Sequence, residues 1–474
     1  MIDVLIVGAG IAGLSTAFEL HRRGVSCTVV ERTPRAGGVI LNEEIDGYTI
    51  DAGPDSLLTQ KPAGLKLCEE LGLGDRLVST KPPRLAFIQR NGRLHALPAN
   101  SVLGIPTRVG PFLETGLFTW SGKMRMGAEL FVPPRRDASD ESIGAFMRRR
   151  FGAEAVTYLA EPLLAGIHAG DVDRLSMRAL FPRLADAEQK YGSLLRAFRQ
   201  RPSPEIQAPN AERRAPSPEN GAFRSLPGGL SEMVRALVAA LPTGAVRLNA
   251  PVTRINGNGP FRVEAGGDAI DARAIVLSTP AYVTAQLVGA RDAELARLCG
   301  EIRYASTATI ALAFPRGAVS HRLNGSGFVV PRVEATGILA GSWLSSKWPH
   351  RAPDEGVLMR TFVGGARDPG ALDRSDAELV ALSLAALGPL VGITGPPLFT
   401  RVYRFDRANA QHEVGHLTRL EAIERALARH PGLFVTGSGF RGVGIPDCVA
   451  DGRATAVKIS EWLATVRLKP DTTS

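Results

Sequence analysis

The chain opens on an apolar run, Val4-Leu5-Ile6-Val7, that passes directly into Gly8-Ala9-Gly10-Ile11-Ala12-Gly13. A short apolar run closed by glycine predicts a buried strand, and Ile11, Leu14 and Phe18 at helical spacing predict a helix that Gly24 stops. A second strand, Cys27-Thr28-Val29-Val30, ends on Glu31. Strand, G-x-G-x-x-G, helix, strand and terminal acid together are the parts of a dinucleotide site. Gly8 permits the tight turn, Gly10 lets the backbone approach a pyrophosphate, and Gly13 lets helix and strand pack closely, while the helix N-terminus offers free N–H groups. Glu31 would accept from a ribose hydroxyl and repel a 2′-phosphate, which leaves NAD and FAD both open.

From about Ser139 to Arg199 the spacing turns helical, with Ile143, Phe146, Met147 and Phe151 on one side and Arg148-Arg149-Arg150 expected on the other. Gln200 to Ala222 carries Pro202, Pro204, Pro209, Pro216 and Pro218 with Ile206 as its one larger aliphatic, the composition of a mobile loop. Beyond it, Val246-Leu248, Val252-Ile255, Phe261-Val263 and Ala274-Leu277 read as successive strands. Ala308-Phe314, Gly327-Val330, Gly337-Gly341 and Leu358-Val363 read as a second sheet. A last parallel strand is expected within Gly432 to Gly437, followed by a glycine-rich turn, Ser438 to Gly444, and a helix from about Cys448 to Val466 capped by Asp447. A nucleotide domain opened by the first residues and completed by the last hundred is discontinuous. The tail 467–474 is expected to fray, and no internal repeat is present.

The length of 474 residues suits two or three domains, and 44% hydrophobic residues supply ordinary cores. A net charge of +9 suits an anionic partner, yet no long Lys/Arg block occurs, which argues against nucleic acid and for a carboxylated substrate or a membrane surface. Cys27, Cys68, Cys299 and Cys448 are far apart, with no C-x-x-C, so neither a disulfide framework nor a thiolate metal site is expected and a reducing cytoplasm fits. The chain starts on a strand rather than an export leader, and no apolar stretch reaches the roughly 18 residues of a spanning helix, so membrane contact would be peripheral, on the inner face. His412-Glu413-Val414-Gly415-His416 is a literal H-E-x-x-H whose spacing would set both rings on one helical face. Gly415 weakens such a helix by about 1 kcal/mol and no third ligand follows at metzincin spacing, so no metal is expected.

Longer strings then point to one family. The turn Arg32-Thr33-Pro34-Arg35-Ala36-Gly37-Gly38 resembles the basic double-glycine turn of flavoprotein oxidases and favours FAD. "GPDSLL" (Gly53 to Leu58), "LGIPTRVGPFLETGLF" (Leu103 to Phe118), "EPLLAGIHAGDVDRLSMRALFP" (Glu161 to Pro182), "LPGGL" (Leu226 to Leu230), "KWPHRAP" (Lys347 to Pro353), "TFVGGARD" (Thr361 to Asp368) and "GFRGVGIPDCVADGR" (Gly439 to Arg453) extend the likeness over nearly the whole chain. The sequence resembles the oxygen-dependent, FAD-containing porphyrinogen oxidases of haem biosynthesis.

That resemblance implies an α/β, overall α+β, architecture of the amine-oxidase type: a Rossmann-like FAD-binding domain (1–83, 223–285 and 405–466), a mixed-sheet substrate domain (84–96 and 286–404) and a helical insertion (97–222). It implies FAD contacts at Gly8, Ala9, Gly10, Ile11, Ala12, Gly13, Glu31, Arg32, Gly38, Val39, Gly53, Pro54, Asp55, Ser56, Val252, Val443, Gly444 and Ile445. The substrate would be protoporphyrinogen IX or coproporphyrinogen III, oxidised by six electrons in three rounds, each returned to oxygen as hydrogen peroxide. Arg84 and Lys61 match cationic positions of relatives' cavities, and Gly166, Gly327, Val329, Trp343 and Phe362 match positions that sandwich the macrocycle. For Trp343 and Phe362 an ordinary core role competes with stacking. In the insertion, Phe112, Phe118, Trp120 and Phe131 near Lys123, Arg125, Arg135 and Arg136 fit either an anionic membrane surface or a buried core with basic edges. An amine oxidase or carotenoid desaturase on the same scaffold, or a non-enzymatic escort protein, are the competing readings. An amine oxidase would need an aromatic cage, and Gly439 to Asp447 offers only Phe440. No residue is assigned as a base, and the oligomeric state, a homodimer included, stays open.

Overall fold

A computed structural model describes residues 1–97, 101–102, 105–106, 109–137, 139–200 and 221–467. In chain order the principal elements are β1 (Ile2–Val7), α1 (Ile11–Arg22), β2 (Cys27–Val30), β3 (Ala86–Arg90), β4 (Arg93–Ala96), β5 (Val246–Arg247), β6 (Val252–Asn256), β7 (Phe261–Ala265) and β8 (Asp268–Leu277). These are followed by β9 (Tyr304–Pro315), β10 (Gly327–Val329), β11 (Ala340–Trp343), β12 (Gly356–Gly364), β13 (Phe399–Ala410), α2 (His416–Leu427), β14 (Leu433–Val435) and α3 (Ile445–Arg467).

Two seven-stranded sheets carry the fold. In the first the order is β5-β2-β1-β8-β7-β6, with β14 pairing the end of β8. β1, β2, β5, β8 and β14 run parallel, with Val4 to Val7 against Ala274 to Leu277 and Leu433 to Val435 against Ile275 to Leu277. Parallel strands buried on both faces need unbroken apolar runs, and Val4, Leu5 and Ile6 are fully buried. α1 covers one face and stops where Gly24 takes φ +69°, with Val25 N donating to Leu20 O at 3.0 Å. α3 packs on α1 through Gly452, whose added Cβ would stand 2.4 Å from Ala12 O. The second sheet, β13-β9-β12-β11-β10-β3-β4, is antiparallel except for β10 beside β3. The predicted strand at Gly337 begins instead at Ala340, because Gly337 turns at φ +80° against Leu382.

The insertion is a helical unit around Phe146, Met147, Phe151, Leu159 and Leu164. Here the expectation for the arginine triplet needs correction. Arg148 reaches solvent, but Arg150 is wholly buried, ion-paired with Glu129 and, at 3.3 Å, with Glu188. It stands seven residues after Ile143 and so falls on the stripe that Ile143, Phe146 and Met147 bury. The loop predicted for Gln200 to Ala222 and the frayed tail fall largely outside the described residues. At the loop's end, Ala222 O accepts from Thr59 N at 2.9 Å.

Candidate active site

The parallel strands β1, β2, β8 and β14 end along one edge, where the first turns of α1 pack on α3 at Gly452; open α/β sheets bind ligands at this edge. Gly8 turns at φ +106°, and a Cβ on Gly13 would lie 2.1 Å from Gly8 O, so both glycines serve the close packing itself. Gly10 differs. Its φ is −71° and an added Cβ would meet no atom within 4 Å, so the fold keeps open space at the N-cap of α1, a helix without a side-chain cap. A pyrophosphate fits that cradle, with the uncapped N–H groups of the first turn as its donors.

The surrounding residues converge on the cradle. Glu31 Oε2 accepts from Ala9 N at 2.9 Å, while Oε1 accepts from Thr33 N and Oγ1 at 2.9 and 2.8 Å. Arg32 and Val39 are exposed, and a Cβ on Gly38 would come 3.4 Å from Gly10 Cα. Gly53 packs so tightly beneath Val39 O that a Cβ would sit at 2.0 Å. Ala250 N donates to Glu31 O at 2.7 Å and brings the start of β6, Val252, alongside. Asp55 is buried, and Lys347 Nζ (2.8 Å), Arg360 (3.0 Å) and Trp348 Nε1 (3.3 Å) hold its carboxylate. Burial alone would push its carboxyl up; Lys347 and Arg360 outweigh that and hold it well below the usual carboxylate range. Asp51 pairs with buried Arg351 at 2.8 Å, and there burial wins and raises the carboxyl. Pro54 and Ser56, which flank Asp55, are partly buried. This network ties the turn Asp51 to Ser56 to β12 and to the segment Lys347–Arg351. The residues it adds, Asp51, Lys347, Arg351 and Arg360, escape a sequence reading because their pairs lie about 300 residues apart.

Val443 and Gly444 lead into α3, which begins at Ile445, three residues earlier than expected. Pro446 fits the first turn of a helix, where a missing N–H costs nothing, and Cys448 N donates to Gly444 O at 2.9 Å. Asp447 is thus inside the first turn and forms an ion pair with Lys61 at 2.6 Å instead of capping.

On the second sheet, the registers Gly327 to Ser342, Val329 to Ala340 and Ala340 to Phe362 put Gly327, Val329 and Phe362 on one face. Gly166 lies over it: a Cβ there would stand 3.2 Å from Val329 Cγ1. Gly327 itself, at φ +136°, has backbone packed where a Cβ would go. Trp343 is on the opposite face, fully buried among Phe87, His321 and Phe328, and takes the core role. Lys61 and Arg84 flank a three-stranded sheet (Leu57–Leu58, Phe223–Ser225, Val78–Ser79) from its two edges. Arg84 Nε donates to Thr80 O at 3.1 Å. His168 ends the helix that carries Gly166; burial first, then the charge of Lys61, pushes its imidazole down to about 4.

The H-E-x-x-H residues do not share a helical face. Gly415, at φ +88°, caps α2, which begins only at His416, and Glu413 pairs with Arg174 at 3.0 Å. Among the described residues no three His, Cys, Asp or Glu side chains cluster as a metal site. In the insertion Phe112 and Phe118 are core, whereas Trp120 and Phe131 are 69% and 83% exposed. Lys123 is turned inward, donating to Leu113 O at 2.7 Å. Arg125 donates to Arg150 O at 2.9 Å, Arg135 pairs with Asp137 at 2.7 Å, and Arg136 is exposed. No described helix is long and apolar enough to cross a membrane.

A nucleotide cradle on a parallel sheet, beside a second sheet with an apolar face, defines a flavoprotein oxidoreductase. The chain belongs to the flavin containing amine oxidoreductases, whose family model matches residues 11–460. It is 36% identical over 461 residues to the coproporphyrinogen III oxidase of Bacillus subtilis (strain 168), covering 95% of this chain and 96% of that protein. It is 28% identical over 489 residues to the chloroplastic protoporphyrinogen oxidase 1 of Arabidopsis thaliana, covering 98% and 88%. A solved structure from Exiguobacterium sp. 255-15 superposes with a TM-score of 0.84 at 32% identity, covering 98% of this chain and 99% of that one. FAD is therefore the cofactor, and the escort reading gives way to an enzyme.

Proposed function

We propose that this enzyme oxidises coproporphyrinogen III to coproporphyrin III, removing six electrons and six protons and consuming three oxygen molecules to give three of hydrogen peroxide. FAD supplies the two-electron chemistry and its return to oxygen. The protein supplies a wall and anchors. Gly166, Val329 and Phe362 form an apolar surface for a flat macrocycle, and Lys61 and Arg84 supply cations for its carboxylate arms. That pairing of an apolar wall with cations on two sides carries the reading. The Bacillus subtilis relative named for coproporphyrinogen III, at 36% identity against 28% for the Arabidopsis thaliana relative named for protoporphyrinogen, supports the choice between the two substrates. An amine substrate is disfavoured by Phe440, the one aromatic of its loop, which is wholly buried and lines no cage. The proposal keeps the enzyme in the cytoplasm, with exposed Trp120, Met124 and Phe131 in peripheral contact with the membrane.

The test is the rise of porphyrin fluorescence when FAD-loaded protein meets each porphyrinogen in air. Faster oxidation of coproporphyrinogen III is expected. Preference for protoporphyrinogen IX would move the enzyme to the other branch, and no acceleration of either would overturn the substrate class.

A further inference from the structure

His412 and His416 are the part of the H-E-x-x-H motif that neither metal binding nor the proposed reaction uses. Their rings stack at 3.8 Å with an interplanar angle of 11°. His412 Nε2 lies 2.9 Å from Ser438 O, and His416 Nε2 lies 2.8 Å from Phe440 O. A carbonyl only accepts, so each Nε2 carries a proton and donates it. Both residues are buried, at 2% and 1% exposure, and His416 Nδ1 has no partner among the described residues. A second proton on that ring would bury an unpaired charge against the face of its neighbour. The pair is thereby neutral and fixed in one tautomer.

What the pair holds is the glycine-rich loop between β14 and α3. Other ties fix the loop's beginning and flank: Gly437 N donates to Asp451 at 3.0 Å, and Arg441 pairs with Glu424 at 2.8 Å. The two histidines take the carbonyls at its centre. Their own backbone is held from the opposite side, where His412 O accepts from Ser176 N at 2.8 Å and Val414 N donates to Arg174 O at 2.9 Å. One stacked pair therefore connects the helical insertion, the end of β13 and the loop that leads into Val443-Gly444-Ile445.

We propose that His412 and His416 are positioning residues, a neutral stacked clamp whose two Nε2–H donors set the Ser438–Gly444 loop against FAD. The proposal rests on this loop lining the flavin. Its location supports that, since it leaves the carboxyl edge of the parallel sheet beside the glycine turn, with a Cβ on Gly437 standing 3.7 Å from Ala12 Cβ.

The test uses the full-length holoenzyme and four variants, His412→Leu, His416→Leu, His412→Gln and His416→Gln. Leucine removes the donor, whereas glutamine keeps a neutral N–H. FAD affinity is measured by titrating the apoprotein, and the long-wavelength flavin absorption band is recorded. Each leucine variant is expected to bind FAD about tenfold more weakly, as one buried hydrogen bond predicts, and to shift the band, with glutamine restoring both. Leucine variants with wild-type affinity and spectrum would overturn the proposal, as would glutamine variants that lose FAD like the leucine ones. Should the leucine variants not fold, the wild-type ¹⁵N–¹H correlations of the two Nε2–H groups decide it. Resonances that move on FAD loading support the clamp, and unmoved ones refute it. Neither readout involves a porphyrinogen, so failure of the substrate reading would leave this result standing.

Discussion

Gly10→Val separates cofactor binding from folding at one position. Gly10 has φ −71° and ψ 173°, a conformation open to any residue, and its Cβ direction is empty to 4 Å. The folded apoprotein should tolerate valine at the modest cost of a poorer N-cap, about 1 kcal/mol, which lowers the melting temperature by roughly 2–4 °C. The same branched side chain occupies the space into which the pyrophosphate must come to meet the first-turn N–H groups. Losing two charge-assisted hydrogen bonds at about 1.5–3 kcal/mol each would weaken FAD by roughly 3–6 kcal/mol, between about a hundredfold and ten-thousandfold. Gly13→Val is the control, because its Cβ would sit 2.1 Å from Gly8 O and the backbone itself must move. Gly10→Val should thus purify colourless yet melt near wild-type apoprotein, while Gly13→Val should lose both flavin and stability. Stoichiometric FAD in Gly10→Val, measured by flavin absorbance after gel filtration, would refute the cradle. A fall in apoprotein melting equal to that of Gly13→Val would refute its separation from the fold.

Arg84→Ala should raise KM for the porphyrinogen about tenfold with unchanged flavin content, as loss of one charge-assisted contact predicts; unchanged steady-state kinetics would remove Arg84 from the site. Asp55→Asn leaves Lys347 and Arg360 without their shared buried carboxylate and should destabilise by about 3–5 kcal/mol in urea unfolding, and a change under about 1 kcal/mol would count against the network. Burial, chiefly, pushes His412 down to about 3 and His168 down to about 4, so the unfolded chain takes up their protons first as pH falls below about 6.5. Their contribution is present above that pH and lost progressively toward pH 4 and 3, so urea stability should drop by about 2–3 kcal/mol from pH 7.5 to 5.5, where most carboxylates stay charged. A flat profile would show that these imidazoles are not buried neutral. Trp120→Glu with Phe131→Glu should abolish co-sedimentation with phosphatidylglycerol vesicles, and absence of wild-type binding would remove the membrane contact.

What could be read along the chain was what short-range chemistry decides. The run Val4 to Val7, the glycines at 8 and 13 and the stop at Gly24 each act within a few residues, and the structure uses them as their spacing suggests. Where two readings of a side chain differ only in what lies across the fold, spacing cannot choose between them. Trp343 is the instance: period two in β11 assigns it to the face opposite Ala340 and Ser342, but only the packing of Phe87 and Phe328 shows that this face is core. Arg150 was open to a stricter reading, since its place seven residues after Ile143 puts charge on an apolar stripe, and such a charge needs buried partners; Glu129 and Glu188 are those partners. The same reasoning explains His412 and His416. Their spacing matches a zinc helix only if residues 412–416 are helical, and Gly415 at φ +88° breaks that condition locally. Once the helix is gone, two buried imidazoles still need acceptors for their N–H groups, and they find them in the carbonyls of Ser438 and Phe440. A motif that fails its usual chemistry therefore still constrains the fold, because a buried N–H that loses water needs an acceptor, and here the acceptors of both Nε2–H groups belong to the loop that leads into α3.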